Sequence, residues 1–258
     1  LRNEPAFRTL GAHGSSVILT AFADDGKSLV SVSKDSIKQW IPESRSLKTQ
    51  FEGLKGQVVC AALSLDGRKL ACAFREGPLA IYDAKTGQED KIIRGVPPSV
   101  VSLALAPDGR IVALGTKDKI EVWNVGIAQR VRVLGASQEV AELTFSPDNQ
   151  RLAKVGRSGA ANVWRVEKFQ PVVAMLKDRT ALAFEPDGRT VAVVTGGRTI
   201  EFINSQSGEL QHTVEFSDTL GPVCQLAFSP DGRHVALGHA NGTIHLLRLI
   251  RSSNVAVK

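Results

Sequence analysis

One short pattern occurs six times along the chain and limits the folds that are open to it. Each copy is an Asp-Gly dipeptide, or Asp-Asn in the fourth copy, and successive copies lie 39 to 44 residues apart. Such a turn needs backbone with positive φ, which glycine, asparagine and aspartate adopt at low cost. The copies begin at Asp25, Asp66, Asp108, Asp148, Asp187 and Asp231. A fixed period of this length indicates a repeat architecture in which each repeat is one supersecondary unit.

The residues on either side of each turn are typical of two paired strands. Around Asp66, for example, the apolar runs 58–63 and 69–74 flank the turn, which predicts an antiparallel hairpin. A third strand is expected next, because a large and mostly aromatic residue follows each turn aspartate by 15 or 16 positions. These residues are Trp40, Tyr82, Trp123, Trp164, Phe202 and, in the last repeat, Leu246.

A fourth, more polar strand is predicted to complete each of the first five repeats, over residues 47–51, 91–94, 130–134, 171–176 and 210–216. The sixth such segment stands at the other end of the chain, in residues 6–10. No helical period is sustained beyond one turn. We therefore expect an all-β fold: a six-bladed β-propeller of four-stranded antiparallel blades, closed by the N-terminal strand.

Several segments resemble the WD-repeat (WD40) β-propeller family. The resemblance rests on Ser229-Pro230-Asp231-Gly232-Arg233, on its counterparts at 106–110 and 146–151, and on the stretch 242–249. It implies one propeller domain over residues 1–258, with residues 6–10 as the closing strand and 250–258 as a C-terminal tail. The implied blades span residues 11–51, 52–94, 95–134, 135–176, 177–216 and 217–249.

In that family a histidine, a serine or threonine, an aspartate and the third-strand tryptophan form a hydrogen-bonded structural tetrad. His13, Ser33, Asp35 and Trp40 match this pattern in the first repeat. The resemblance implies that they pin the loop between blades. A catalytic His13–Asp35 pair is the alternative, but it lacks a nucleophile at a suitable spacing.

Basic residues in the turns between the second and third strands are the candidate partner-binding residues. In four repeats they follow the hairpin aspartate by nine positions, and the last two repeats hold near-equivalents. They are Lys34, Arg75, Lys117, Arg157, Arg198 and His239. In a propeller of this family these turns surround the mouth of the central channel, where a ring of cations suits an acidic or phosphorylated segment.

The alternative is that these cations only keep the turns hydrated. Acidic neighbours favour that interpretation, namely Asp35, Glu76, Asp118 and Asp178. A second basic series follows the hairpin turns and, by the resemblance, belongs to the repeat consensus, so we assign it no function. Its members are Lys27, Arg68, Arg110, Arg151, Arg189 and Arg233.

The composition and motifs favour binding over catalysis. The net charge of +6 is modest and aromatic residues make up 5% of the chain, so a nucleic-acid partner is not expected. No apolar run is long enough to span a membrane as a helix, and no membrane partner is expected. The histidines lack the spacing of a metal site, and no cofactor is expected. The three cysteines lack CxxC spacing, which predicts buried free thiols.

The sequence thus predicts a non-enzymatic scaffold or peptide-recognition module. Its expected partner is a protein or peptide, with an acidic or phosphorylated segment as the specific hypothesis, and the module is expected to belong to a longer, cytoplasmic polypeptide. The alternative is a small-ligand or enzymatic propeller that uses its central channel.

Overall fold

The computed structural model describes residues 10–23, 27–136, 139–175, 178–216 and 221–249. Within these ranges the regular structure consists of strands, which form six antiparallel sheets. In five sheets four strands lie side by side in chain order, and the described part of the sixth holds three. The predicted all-β class, built from four-stranded antiparallel blades, is confirmed. None of the described segments forms a helix long and apolar enough to cross a membrane.

The chain divides into two compact units, Leu1–Gly135 and Ala136–Lys258. We number the sheets 1 to 6 in chain order. The first unit contains sheet 1 with β1 (Val17–Phe22), β2 (Leu29–Ser33), β3 (Ile37–Ile41) and β4 (Ser46–Gln50); sheet 2 with β5 (Val58–Leu63), β6 (Lys69–Phe74), β7 (Leu79–Asp83) and β8 (Glu89–Ile93); and sheet 3 with β9 (Ser102–Leu105), β10 (Ile111–Gly115), β11 (Lys119–Asn124) and β12 (Gln129–Gly135).

The second unit contains the other three sheets. They are sheet 4 with β13 (Val140–Phe145), β14 (Arg151–Gly156), β15 (Ala161–Arg165) and β16 (Gln170–Met175); sheet 5 with β17 (Arg179–Phe184), β18 (Thr190–Thr195), β19 (Thr199–Asn204) and β20 (Leu210–Glu215); and sheet 6 with β21 (Val223–Phe228), β22 (His234–His239) and β23 (Ile244–Arg248). The predicted closing strand at 6–10 and the first hairpin turn at 25–26 fall outside the described residues, apart from Leu10.

Each sheet has two ends that carry different turns. At the hairpin end the first strand turns into the second, and at the second-turn end the second strand turns into the third. In sheet 2 the hairpin turn is closed by Gly67 N–H, which donates to the Ser64 carbonyl at 2.8 Å, with Gly67 at φ 68°. The Asp66 carboxylate accepts a bond from the Arg68 amide at 3.1 Å. The Asp-Gly motif therefore lies at hairpin ends, as predicted.

Neighbouring sheets within a unit are joined at their second-turn ends. The Val58 amide of sheet 2 donates to the Lys34 carbonyl of sheet 1 at 2.9 Å. In the second unit, Val223 of sheet 6 donates to Gly197 of sheet 5 at 2.8 Å. The second turn of one sheet therefore lies against the start of the next sheet's first strand.

The core of each unit lies between consecutive sheets. In β6, Leu70 and Cys72 belong to the cluster shared with sheet 1, whereas Ala71 and Ala73 belong to the cluster shared with sheet 3. A middle strand with alternating faces is thus buried on both sides, which explains its nearly continuous apolar run. The three cysteines are free thiols, as predicted, but only Cys72 is buried; Cys60 is half-buried and Cys224 is exposed.

Candidate functional site

The second-turn ends of the first unit carry three of the predicted partner-binding residues. Lys34, Arg75 and Lys117 lie just after β2, β6 and β10, and all three are exposed. Because the strands of every sheet run in the same antiparallel order, these residues occupy corresponding ends of three consecutive sheets. The structure therefore places them on equivalent turns, available to a partner.

The two lysines differ from the acids beside them in how their side chains are engaged. Within the described part of the chain, neither Lys34 nor Lys117 forms an ion pair. Asp35, in contrast, accepts bonds from Ser33 Oγ at 2.6 Å and Ser15 Oγ at 3.0 Å, and these bonds lower the pKa of its carboxyl group.

Sheet 3 repeats this arrangement, and sheet 2 orients its cation differently. Asp118 accepts a bond from Thr116 Oγ1 at 2.9 Å, so this acid is also turned back onto its own turn. In sheet 2, Arg75 Nε donates to Gln57 Oε1 at 3.0 Å, which holds the guanidinium group at the start of β5. The two lysines are therefore exposed, whereas Asp35 and Asp118 are hydrogen-bonded to hydroxyl groups nearby.

In the second unit the corresponding positions diverge. Arg157 is exposed and pairs with Glu139 at 2.8 Å, and Arg198 is exposed in the turn after β18. The prediction for His239 is wrong, because this residue is only 4% exposed at the end of β22. Its Nδ1 lies 2.9 Å from the Gly221 carbonyl and its ring packs edge-on against His245. The position nine residues after the hairpin aspartate is Ala240, so sheet 6 lacks a cation there.

The tetrad residues of sheet 1 come together around a serine that the sequence interpretation missed. Ser31 Oγ lies 2.6 Å from His13 Nε2 and accepts a bond from Trp40 Nε1 at 2.7 Å. Ser33 instead donates to Asp35. Ser31 and Ser33 share one face of β2, since side chains alternate along a strand, and this spacing was the available signal.

The other nitrogen of His13 completes the network. Nδ1 lies 2.7 Å from Ser36 Oγ, and Ser36 in turn reaches Asp35 at 3.4 Å. Burial lowers the pKa of His13, and Lys38 lowers it further against the opposing effect of Asp35. Ser31 is 4% exposed and accepts the indole N–H, so its hydroxyl is not placed to attack a substrate. The geometry fits a structural role, in which the network holds residues 11–15 against β2 and β3.

In sheet 3 a buried carboxylate, and not a serine hydroxyl, accepts the hydrogen bond of the third-strand tryptophan. Glu121 is 2% exposed and binds Lys119 Nζ at 2.8 Å and Arg130 Nη1 at 3.1 Å. It also accepts a bond from Trp123 Nε1 at 3.2 Å. Sequence reasoning missed this cluster; the signal was a glutamate within the apolar strand segment Ile120–Trp123.

Two further ionisable groups in sheet 4 have shifted pKa values, but they do not form an acid–base pair. Burial raises the pKa of Glu142 to about 7, against a hydrogen bond from the Leu182 backbone that lowers it. Burial lowers the pKa of Lys154, whose Nζ has no hydrogen-bond partner. Glu142 is opposite Val155 and Leu143 is opposite Lys154, so the two side chains point to opposite faces of the sheet. Among the described residues, no three histidine, cysteine or acidic side chains are grouped to hold a metal ion.

Comparison with known proteins agrees with this architecture. The family described as WD domain, G-beta repeat matches residues 208–246, which contain β20, β21, β22 and part of β23. This match and the WD-repeat relatives below support the predicted WD-repeat β-propeller. Its WD-repeat relatives indicate, in general terms, a scaffold for protein interactions.

Three relatives illustrate the extent of the similarity. Periodic tryptophan protein 2 of Arabidopsis thaliana is 28% identical over 207 residues, which are 78% of this chain and 22% of that protein. WD repeat-containing protein SL1-17 of Schistosoma mansoni is 23% identical over 176 residues, 67% of this chain and 58% of that protein. Target of rapamycin complex subunit LST8 of Bos taurus is 25% identical over 166 residues, 59% of this chain and 51% of that protein. The chain therefore spans less than two thirds of each.

Proposed function

We propose that this WD-repeat chain is a platform for protein partners and that the second-turn ends of sheets 1 to 3 bind acidic or phosphorylated segments. One observation carries the proposal. Lys34 and Lys117 are exposed without an ion pair in the described part of the chain, whereas the adjacent Asp35 and Asp118 are hydrogen-bonded to hydroxyl groups of their own turns. A partner's carboxylate or phosphate could therefore pair with the lysines directly, without first breaking an ion pair within the described part of the chain.

The attraction is expected to act at contact distance. Asp35 and Asp118 keep their negative charge next to the lysines, so the summed field of this end is modest and salt screens it further. Charge-assisted hydrogen bonds from Lys34, Arg75 and Lys117 would supply the affinity, and a phosphate accepts more of them than a carboxylate does. The Bos taurus relative, by its name a subunit of a complex, supports a protein partner.

The test is a binding measurement by fluorescence anisotropy. The probe is a short labelled peptide that carries two phosphoserines, compared with its glutamate and serine counterparts. The variant is Lys34→Gln with Arg75→Gln and Lys117→Gln. We expect it to weaken phosphopeptide binding by about tenfold, since each exposed ion pair contributes up to about 1 kcal/mol.

A matched control removes the same charge from the hairpin ends of the same sheets. It combines Arg45→Gln, Lys85→Gln and Arg110→Gln, all at exposed positions. We expect this control to bind like the unsubstituted chain. Equal affinities of the two triple variants would refute the acidic-segment proposal, whereas the scaffold role rests separately on the WD-repeat relatives.

A further inference from the structure

Two arginines lie directly opposite each other in sheet 4. Arg151, the first residue of β14, pairs with Arg165, the last residue of β15. Directly opposed residues of an antiparallel pair share one face, with Cβ atoms about 5 Å apart, and like charges there are destabilising. An anion bound between the two arginines would therefore reduce their mutual repulsion.

Three other sheets avoid this repulsion at the same register position. Sheet 2 places Lys69 opposite Asp83, which are opposite charges. Sheets 3 and 5 pair an uncharged residue with an asparagine, Ile111 with Asn124 and Thr190 with Asn204. Sheet 6 places His234 opposite Arg248. Among the described pairs at this position, two opposed arginines occur in sheet 4 and are not a requirement of the repeat.

Arg151 stands three residues after its hairpin aspartate, one position later than Arg110 and Arg233 do in their own hairpins. Arg151 is 7% exposed, whereas the side chains of Arg110 and Arg233, at the earlier position, are 83% and 78% exposed. Its Nε donates to the Ser205 carbonyl of sheet 5 and its Nη1 to the Gln150 carbonyl, each at 3.1 Å. These carbonyls are neutral, and neither Arg151 nor Arg165 has an ion-pair partner within the described ranges. A buried cation without a counter-charge is costly.

The two arginines line an open cleft between sheets 4 and 5 at their hairpin ends. The cleft has a volume of about 510 Å³ and also contacts Asn149, Gln206 and Glu167. Asn149 adopts φ 61°, and its side-chain oxygen is buried without a hydrogen-bond partner. One polar atom of a residue that lines the cleft is therefore left without a hydrogen bond within the described part of the chain.

We propose that this cleft binds a phosphate group, bridged by the guanidinium groups of Arg151 and Arg165. A phosphate monoester or hydrogenphosphate carries nearly two negative charges and compensates both cations, whereas one carboxylate compensates only one. Planar guanidinium groups match phosphate oxygens in pairs of parallel hydrogen bonds.

Glu167 is the acidic residue among those that line the cleft, and its charge provides a further test of the proposal. It is exposed and makes no ion pair with either arginine within the described residues. Its charge opposes an anion, so Glu167→Gln is expected to strengthen phosphate binding. The site lies at the hairpin end of the second unit, and none of its residues is substituted in the peptide experiment above. The two proposals can therefore fail independently.

The test is isothermal titration calorimetry of the whole chain with inorganic phosphate. The ionic strength is held constant with chloride. Arg165→Gln is the main variant, because Arg165 is exposed at a strand end and its loss is compatible with folding. We expect it to weaken phosphate binding by at least about fivefold, and Glu167→Gln to strengthen it by about twofold to fivefold. Lys168→Gln, an exposed charge in the same turn, is the matched control and is expected to leave binding unchanged.

A second arm separates the two sources of phosphate. Phosphoserine that binds more tightly than inorganic phosphate, and loses that affinity with Arg165→Gln, indicates a phosphorylated partner; equal affinities indicate the free ion. Arg151→Lys keeps the charge but removes the planar group, and is expected to weaken binding while the far-ultraviolet circular dichroism stays the same. Phosphate binding that is absent, or identical in Arg165→Gln and Lys168→Gln, would overturn the proposal.

Discussion

Glu142 shows how one side chain makes stability depend on pH. The polar groups around Ser31 and Glu121 are satisfied by several partners, but burial dominates at Glu142 and raises its pKa to about 7. The folded chain therefore holds a proton on this carboxyl group at pH values where the unfolded chain has released it. As the pH rises from about 4.5 to 7, the unfolded state binds fewer protons, so this group's contribution to stability falls.

Glu142→Gln is expected to remove this pH dependence. At pH 8 the variant should unfold with a free energy higher by about 2 kcal/mol, because an amide carries no charge to desolvate and still accepts the Leu182 bond. At pH 4.5 the difference should disappear. Urea denaturation across this range measures it.

The exposed Glu215→Gln serves as the control, and its stability should follow that of the unsubstituted chain at every pH. His13 acts in the opposite sense, since its lowered pKa costs stability as the pH falls below about 6.5, but it is common to all three proteins. Parallel profiles for Glu142→Gln and the control would contradict the burial argument.

The hairpin turn is the element that repeats most faithfully. In each hairpin that the structure describes, the aspartate Oδ1 accepts the amide two residues later, as in Arg110 at 3.0 Å and Arg189 at 2.9 Å. The next position has positive φ in every case, including Asn149 at 61°. Turn chemistry of this kind depends on four adjacent residues, which is why the period is readable without any tertiary contact.

Two of these glycines differ in what surrounds them, and substitution should reveal the difference. A Cβ at Gly188 would lie 2.7 Å from the Asp148 carboxyl carbon, and that carboxylate is held by Ser146 and Gln150. A Cβ at Gly109 would meet the flexible Lys69 stem at 2.9 Å. Gly188→Ala is expected to cost about 3 kcal/mol and Gly109→Ala about 1 kcal/mol, the latter from backbone strain alone. Thermal and urea unfolding provide the comparison, and equal losses would show that Asp148 moves aside freely.

At the scale of the whole molecule, burial follows the order of strands in each unit. In sheets 2 and 3 the second and third strands are buried on both faces, whereas the fourth strand β12 is mostly exposed. In sheet 6 the third strand, β23, alternates between exposed and half-buried residues. The three cysteines lie in environments that differ in solvent exposure. Cys72 on β6 is fully buried, Cys60 on β5 is half-buried with a pKa raised to about 11, and Cys224 on β21 is exposed.

Thiol labelling should therefore separate the two units. We expect Cys224 to react quickly with an aromatic disulfide reagent under native conditions, because it is accessible to solvent. Cys72 should react only when sheet 2 opens, and its rate should report the stability of the first unit. Single-cysteine variants followed by absorbance would measure each rate. Native labelling of Cys72 at the rate of Cys224 would contradict the packing of β6.

The repeat, the strand order and the third-strand aromatic positions can be predicted from the sequence. These depend on turn chemistry and on alternating side chains, which are local properties of about 40 residues. The sequence also indicated Lys34, Arg75 and Lys117 as turn cations, since nine residues from the hairpin aspartate cover the rest of the hairpin turn and the second strand.

The hydrogen-bond partners of individual polar side chains, in contrast, follow from the tertiary structure. Ser31 and not Ser33 joins His13 to Trp40, and His239 is buried beside the Gly221 carbonyl. Arg151 donates to a carbonyl of sheet 5 and lies opposite Arg165. Each outcome depends on pairing register or on atoms contributed by residues distant in sequence. Burial and electrostatic environment arise from such neighbours, so no pattern within one repeat contains them.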